Sequence, residues 1–422
     1  MPVFIFKKLN MNLRNYQITI MDKALEMLKT HHIAYLAMEV RTGKTLTAIA
    51  TAYCYGATKV LFVTKKKAIT DIIQQAYEMG YELHIKVINY EQLQNESAIY
   101  DFIIADEAHG LGAFPKPAKR ATELKRIAKG MPIIFLSGTP TPESYSQLFH
   151  QFWCSSFSPW KDYAGFYKWA KEYVFIRQKF VFNRSINDYS HADLHKIKPI
   201  MEQLMISFTQ EEAGFQSFVE EEIHYVFMEN STYRFADKLK RDKIAINADG
   251  EVVKGDTAVK LMSKLHQVYS GTVIVDEPIR IAKCFDNRKA MFIKDKFAGQ
   301  KIAIYYKFVA EYFDILSVFA GRVVEDAVAF NEGGNELVFV SQIQSGREGI
   351  NLSTADALIF YNIDFSAVSY WQSRARIQTK DRKKESKIHW IFAHNGIEDK
   401  IYKAVMDKKD YTLTHFKRDY GI

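Results

Sequence analysis

An apolar run at 33–38 gives way to Thr42-Gly43-Lys44-Thr45, and a helix-compatible stretch, Leu46-Thr47-Ala48-Ile49-Ala50, follows at once. This order predicts a strand-to-helix turn, with backbone N–H groups and a helix N-terminus aimed at an anion. A second strand-like run, Phe102-Ile103-Ile104-Ala105, closes on Asp106-Glu107-Ala108-His109. A parallel sheet would carry those carboxylates at its carboxyl edge, where ligands of open α/β sheets bind.

The rest of the first third supports such a sheet. Short β-branched runs at Val60-Leu61-Phe62-Val63, Val87-Ile88 and Ile133-Ile134-Phe135-Leu136 alternate with helical stretches, as in a parallel sheet covered by helices. The last third repeats the pattern with runs at 302–306, 337–340, 357–361 and 388–392. The fold class is therefore α/β, with two parallel-sheet domains in tandem, at 1–150 and 279–422. Between them, 151–278 turns aromatic and charged and reads as a mainly helical linker or insertion. Asn247-Ala248-Asp249-Gly250 is a turn signal before the β-branched pair Val252-Val253. The stretch 397–410 reads as an amphipathic helix with Ile401, Ala404 and Val405 on one face.

At 422 residues the chain has room for two ordinary domains, and 48% hydrophobic with 25% charged residues is a globular composition. A formal charge of +8 and a pI near 9.0 favour a polyanionic partner. Cys54, Cys154 and Cys284 lie far apart without the Cys/His spacing of a structural zinc site, and read as reduced thiols of a cytoplasmic protein. No uncharged run approaches membrane-spanning length, which argues against secretion and membrane insertion.

Together the two motifs supply most of a phosphate-transfer site. A triphosphate needs its charge neutralised and its terminal phosphoryl group held in line with an attacking water. Lys44 can reach the β- and γ-phosphates, the backbone of Thr42 and Gly43 can approach them, and the Thr45 hydroxyl can ligate Mg²⁺. Asp106 would hold the same ion and Glu107 would orient the water. Gln372-Ser373-Arg374-Ala375-Arg376-Ile377-Gln378 offers two candidate arginine fingers, Arg374 and Arg376. An i, i+2 pair points to different faces of a helix, so at most one would reach the phosphate if the stretch is helical.

The order of these motifs resembles that of the superfamily 2 helicases and translocases, in particular the Snf2-like DNA-dependent ATPases of phages and bacteria, with two RecA-like domains. Leu13-Arg14-Asn15-Tyr16-Gln17 is similar to the Q motif, which implies that Gln17 reads the adenine of ATP. Residues 38–45 resemble motif I and residues 60–67 motif Ia. Ile88-Asn89-Tyr90-Glu91-Gln92-Leu93 resembles the Snf2-like motif Ib, residues 106–109 motif II and Ser137-Gly138-Thr139-Pro140 motif III. In the last third, residues 301–308 resemble motif IV and 372–378 motif VI. Ser345-Gly346-Arg347-Glu348-Gly349-Ile350-Asn351-Leu352 resembles motif V and adds Gly349 to the nucleotide-site candidates. Two positions depart from the pattern. Arg41 stands where the family usually has glycine, and Ala375 alone separates two arginines that the family spaces by two residues.

The resemblance implies a Mg-ATP-driven motor, acting as a monomer on double-stranded or branched DNA in the cytoplasm, or in the host cytoplasm if phage-encoded, with replication or recombination proteins as further partners. ATP would close a cleft between the domains, and nucleic acid would lie across both. Lys65, Lys66 and the Ser341 region are candidate backbone contacts. A strand-separating DNA or RNA helicase and a scaffold with a decayed ATPase are the alternatives. Phe152, Trp153, Trp160, Phe166, Tyr167 and Trp169 are read either as core or as platforms for unpaired bases.

Overall fold

The computed structural model describes residues 13–181, 184–214, 219–246, 250–343, 352, 354–366 and 386–406. The chain divides into two compact units, 1–215 and 216–422.

The first unit is built on a six-stranded, all-parallel sheet. Its spatial order is His84–Asn89, Lys59–Thr64, Phe102–Ala105, Ile133–Leu136, Ile33–Met38 and Met205–Phe208. The central strands are apolar without interruption because both faces are covered. Ile33, Tyr35, Ile103, Ala105, Ile133 and Phe135 pack into one core, while Ala34, Leu36, Ile104, Ile134 and Leu136 pack into another. Strand alternation thus makes two cores from one sheet.

The second unit repeats the plan. Val323–Val324, Val338–Gln342, Ile302–Tyr306, Ala357–Phe360, Ser386–Ala393 and Val219–Val226 form another all-parallel six-stranded sheet. The helix Glu398–Met406 buries Ile401 and Val405 against this core.

The middle third differs from the expected helical insertion. Met205–Phe208 completes the first sheet and Val219–Val226 the second, so 151–278 is shared between the units. It does contain the helices Phe166–Tyr173, Leu194–Leu204, Asn230–Asp242 and Ala258–Tyr269. Ile244–Ile246 pairs antiparallel with Val252–Lys254, while 247–249 of the turn signal lie outside the described residues. Phe152, Trp160, Phe166 and Trp169 are buried in the first unit's core, at 0–3% exposure, which removes them as base-stacking platforms. Among the described residues no helix is long and apolar enough to cross a membrane.

Candidate functional site

Three adjacent strands, Phe102–Ala105, Ile133–Leu136 and Ile33–Met38, end side by side. Their carboxyl ends present Asp106 and Glu107, then Ser137 to Pro140, then the loop 39–43. One sheet edge therefore collects motifs II, III and I.

The loop turns into a helix at once, since Lys44–Tyr55 is helical with Gly43 as its N-cap at φ 81°. A Cβ at Gly43 would displace the Gln17 amide, 2.4 Å from Nε2, and the positive φ itself favours glycine. Arg41 adopts φ 63°, the left-handed region that glycine enters freely. The loop thus keeps the turn a glycine would give, with an arginine in its place. Thr42 is fully buried, and its hydroxyl donates to the Glu39 carbonyl at 2.7 Å.

The loop is braced from two sides. Gln17 Nε2 donates to the Gly43 carbonyl at 3.1 Å, while Gln17 Oε1 accepts from the Arg14 amide at 2.9 Å. In this conformation Gln17 supports the loop itself. Tyr16 donates its hydroxyl to the Thr42 carbonyl at 3.1 Å and stacks on Phe208 with ring centroids 4.8 Å apart. From the other side, Glu39 N donates to the Phe208 carbonyl at 2.9 Å. Gln210 Nε2 donates to the Val40 carbonyl at 2.9 Å, and the Gln210 amide donates to Glu39 Oε2 at 2.9 Å. Gln210 escapes a sequence reading because no local pattern marks it, whereas Tyr16 sits beside Gln17.

The acidic pair is held just as closely. Asp106 Oδ2 accepts from the Thr64 hydroxyl at 2.9 Å, and the Asp106 carbonyl accepts from the buried Tyr90 hydroxyl at 2.5 Å. Glu107 occupies the left-handed region at φ 50°, a strained conformation for a non-glycine residue. His109 Nδ1 lies 3.2 Å from Glu107 Oε2 and 3.1 Å from Ser137 Oγ, and Ser137 Oγ accepts from the Thr139 amide at 3.1 Å. Motif II is thereby wired into motif III.

The two carboxyls titrate apart. Burial, and then the neighbouring Glu107 charge, push Asp106 up to about 6. Burial acts the same way on Glu107, but the His109 hydrogen bond and charge, with Lys65 and Lys44, outweigh it and hold Glu107 well below the usual carboxylate range. Asp106 Oδ1 and Thr139 Oγ1 are buried without a hydrogen-bond partner among the described residues. An orphaned, desolvated carboxylate oxygen beside a lysine-led helix N-terminus is what a divalent cation with a bound triphosphate would satisfy, so these residues fit the implied Mg-nucleotide.

Of the other sequence candidates, Lys66 is exposed and Lys65 half-buried, and Ser341 lies in the strand Val338–Gln342. Gly349, Arg374, Arg376 and most of motifs V and VI lie outside the described residues. Leu352, the last residue of motif V, is buried in the second core. The three cysteines are free, with Cys154 buried.

A strand-to-helix turn, an acidic pair and a Ser-Gly-Thr-Pro turn thus stand on neighbouring parallel strands. Comparison with known proteins finds the following similarities. Residues 10–83 match the family described as "Type III restriction enzyme, res subunit". A segment of 81 residues is 33% identical to the ISWI chromatin-remodeling complex ATPase CHR17 of Arabidopsis thaliana, covering 19% of this chain and 8% of that protein. Two solved structures, the Sulfolobus solfataricus SWI2/SNF2 ATPase core in complex with dsDNA and the same core domain alone, align at 15% identity with TM-scores of 0.43 and 0.42. The alignments span 97% and 95% of this chain and 93% and 90% of theirs. The sequence matches are confined to the first part of the chain, where it is similar to the restriction-enzyme res-subunit family and to a chromatin-remodeling ATPase.

Proposed function

We propose that this chain is an ATP-driven motor that moves on double-stranded or branched DNA. The observation that carries the reading is the Glu107–His109–Ser137 relay, which ties the residue best placed to position water to the turn after the next strand. Lys44 and the amide-lined turn would bind the β- and γ-phosphates, and Thr45 and Asp106 would hold Mg²⁺. The ion would supply charge neutralisation on the phosphates. Glu107, kept ionised by His109, accepts a proton from the attacking water and orients it. When the terminal phosphate leaves, the hydrogen bonds to Glu107 change, and His109 passes that change to Ser137 and Thr139. Such a relay turns hydrolysis into a backbone movement.

The formal charge of +8 and the similarity to a chromatin-remodeling ATPase support DNA as the track. Contacts to phosphate would dominate, making binding salt-dependent and weakly sequence-dependent. The protein would act as a monomer in the cytoplasm. Steady-state ATP hydrolysis with no nucleic acid, single-stranded DNA, linear duplex, branched duplex and RNA tests the reading. Stimulation by duplex or branched DNA, lost in Lys44→Ala, supports it. Stimulation confined to single strands or RNA would replace it with a strand-separating helicase.

A further inference from the structure

The second unit carries a cluster of ligand-type side chains that the nucleotide site does not use. Val219–Val226 and Ser386–Ala393 run parallel, with Glu222 opposite His389 and His224 opposite Ile391. Strand alternation puts Glu222, His224 and His389 on one face. His224 Nε2 lies 2.9 Å from His389 Nδ1, and His389 Nδ1 lies 3.5 Å from Glu222 Oε2. The two imidazoles are 8% and 6% exposed, and Glu222 is half exposed at 49%. We propose that Glu222, His224 and His389 form a binding site for a divalent transition ion of the zinc type.

The geometry fits that ion. Zinc bonds to imidazole and carboxylate are near 2.0–2.2 Å, which places the ligand atoms of a tetrahedral site roughly 3.4 Å apart. The His389–Glu222 separation already matches, and the closer imidazole pair opens by about half an ångström as its N–H···N bond is exchanged for two bonds to metal. The shared proton moves to the other nitrogen of the ring that carries it. Phe297 against His389, at 4.7 Å between ring centroids, and Phe292 against His224, at 5.5 Å, wall the site on its inner side. Glu222 leaves an approach from solvent, and water completes the fourth position. Lys296, whose Nζ is 3.9 Å from Glu222 Oε1, is the cation the metal displaces, and Lys387 also bears on His389. Imidazole with one carboxylate suits zinc, cobalt or nickel better than Mg²⁺ or Ca²⁺. A bound ion would pin the strand 219–226 to one 165 residues further along the chain.

The test uses the full chain without a histidine tag, chelator-treated, in an Asp106→Asn background that weakens metal binding at the nucleotide site. Titration with Zn²⁺ by calorimetry and with Co²⁺ by visible absorption should show one equivalent, with a tetrahedral-type cobalt spectrum that zinc abolishes. Glu222→Gln and His389→Gln should each weaken binding by at least about tenfold. Glu222 is half exposed, so its variant keeps the fold, which circular dichroism checks. Zinc should raise Tm in the parent and not in Glu222→Gln, and Lys296→Ala should tighten binding. Absence of stoichiometric binding at micromolar metal, or equal affinity in Glu222→Gln, would overturn the site.

Discussion

The Tyr90 hydroxyl donates to the main-chain carbonyl of Asp106 at 2.5 Å, so a residue sixteen positions upstream fixes the backbone from which both motif II carboxylates project. The bond is buried, and the ring is walled in by the core of the first unit. Tyr90→Phe keeps that packing and leaves the carbonyl unpaired, at a cost of about 1–3 kcal/mol. Unfolding in urea should show that loss. ATP turnover should fall about tenfold while nucleotide affinity changes little, because the carboxylates and not the phosphate loop are loosened.

Lys44→Ala should abolish turnover while leaving DNA binding largely intact. Glu107→Gln should trap ATP and slow hydrolysis by orders of magnitude, since its amide cannot accept the proton of the attacking water. Single-turnover assays with filter-bound nucleotide separate the two outcomes. Near-normal turnover in Lys44→Ala would mean that Lys44 does not hold the phosphates, and in Glu107→Gln that Glu107 does not activate the water.

Gln210 and Gln17 brace the phosphate loop from opposite sides. Gln210→Ala deletes the hydrogen bond to the Val40 carbonyl and should lower stability by about 1 kcal/mol. A several-fold rise in KM for ATP with nearly unchanged kcat is expected, because Gln210 shapes the loop without touching the reacting atoms. A fall in kcat at constant KM would contradict this.

Lys289 and Glu398 form an ion pair at 2.7 Å with both side chains fully buried. Glu398→Gln strands a buried ammonium and should cost about 3–5 kcal/mol. The double variant Lys289→Met with Glu398→Leu should recover much of that loss. A double-mutant cycle by chemical denaturation measures the coupling.

His266 is wholly buried, with Nε2 2.5 Å from Asn362 Oδ1. Burial first, then the charges of Lys307 and Lys289, hold its pKa well below the ordinary value. The unfolded chain takes up this proton near pH 6.5 while the folded chain does not, so acid favours unfolding below that pH. Stability should therefore fall below pH 6.5 with a contribution approaching about 1.4 kcal/mol per pH unit, and reach its full value above it. His266→Gln should flatten the slope between pH 6.5 and 5, as read from Tm against pH.

The inner strands of both sheets, and the strand-to-helix turn after Ile33–Met38, were legible because each is local. A fully buried parallel strand must be apolar on both faces, as Ile133–Leu136 is, and a phosphate loop must follow its strand directly. Three outer strands, Met205–Phe208, Val219–Val226 and Val323–Val324, were not. Met205–Phe208 is too short for its period to show, and Val219–Val226 carries three consecutive glutamates at 220–222, which edge strands tolerate and sequence readings take for loop. The Gln210 brace spans 170 residues and leaves no trace in the neighbouring sequence. The aromatics of 152–169 carried two readings that composition could not separate, and burial decides for the core at Phe152, Trp160, Phe166 and Trp169, while Tyr167 is exposed.

The strand that carries the phosphate loop, Ile33–Met38, takes its outer neighbour from Met205–Phe208. A ribosome translating at roughly 5–20 residues per second needs on the order of ten to thirty seconds to cover that distance. Throughout that interval the nascent loop lacks one whole flank, including the Phe208 and Gln210 contacts. The loop is thus completed only after 205–210 has joined the sheet, late in the synthesis of the unit.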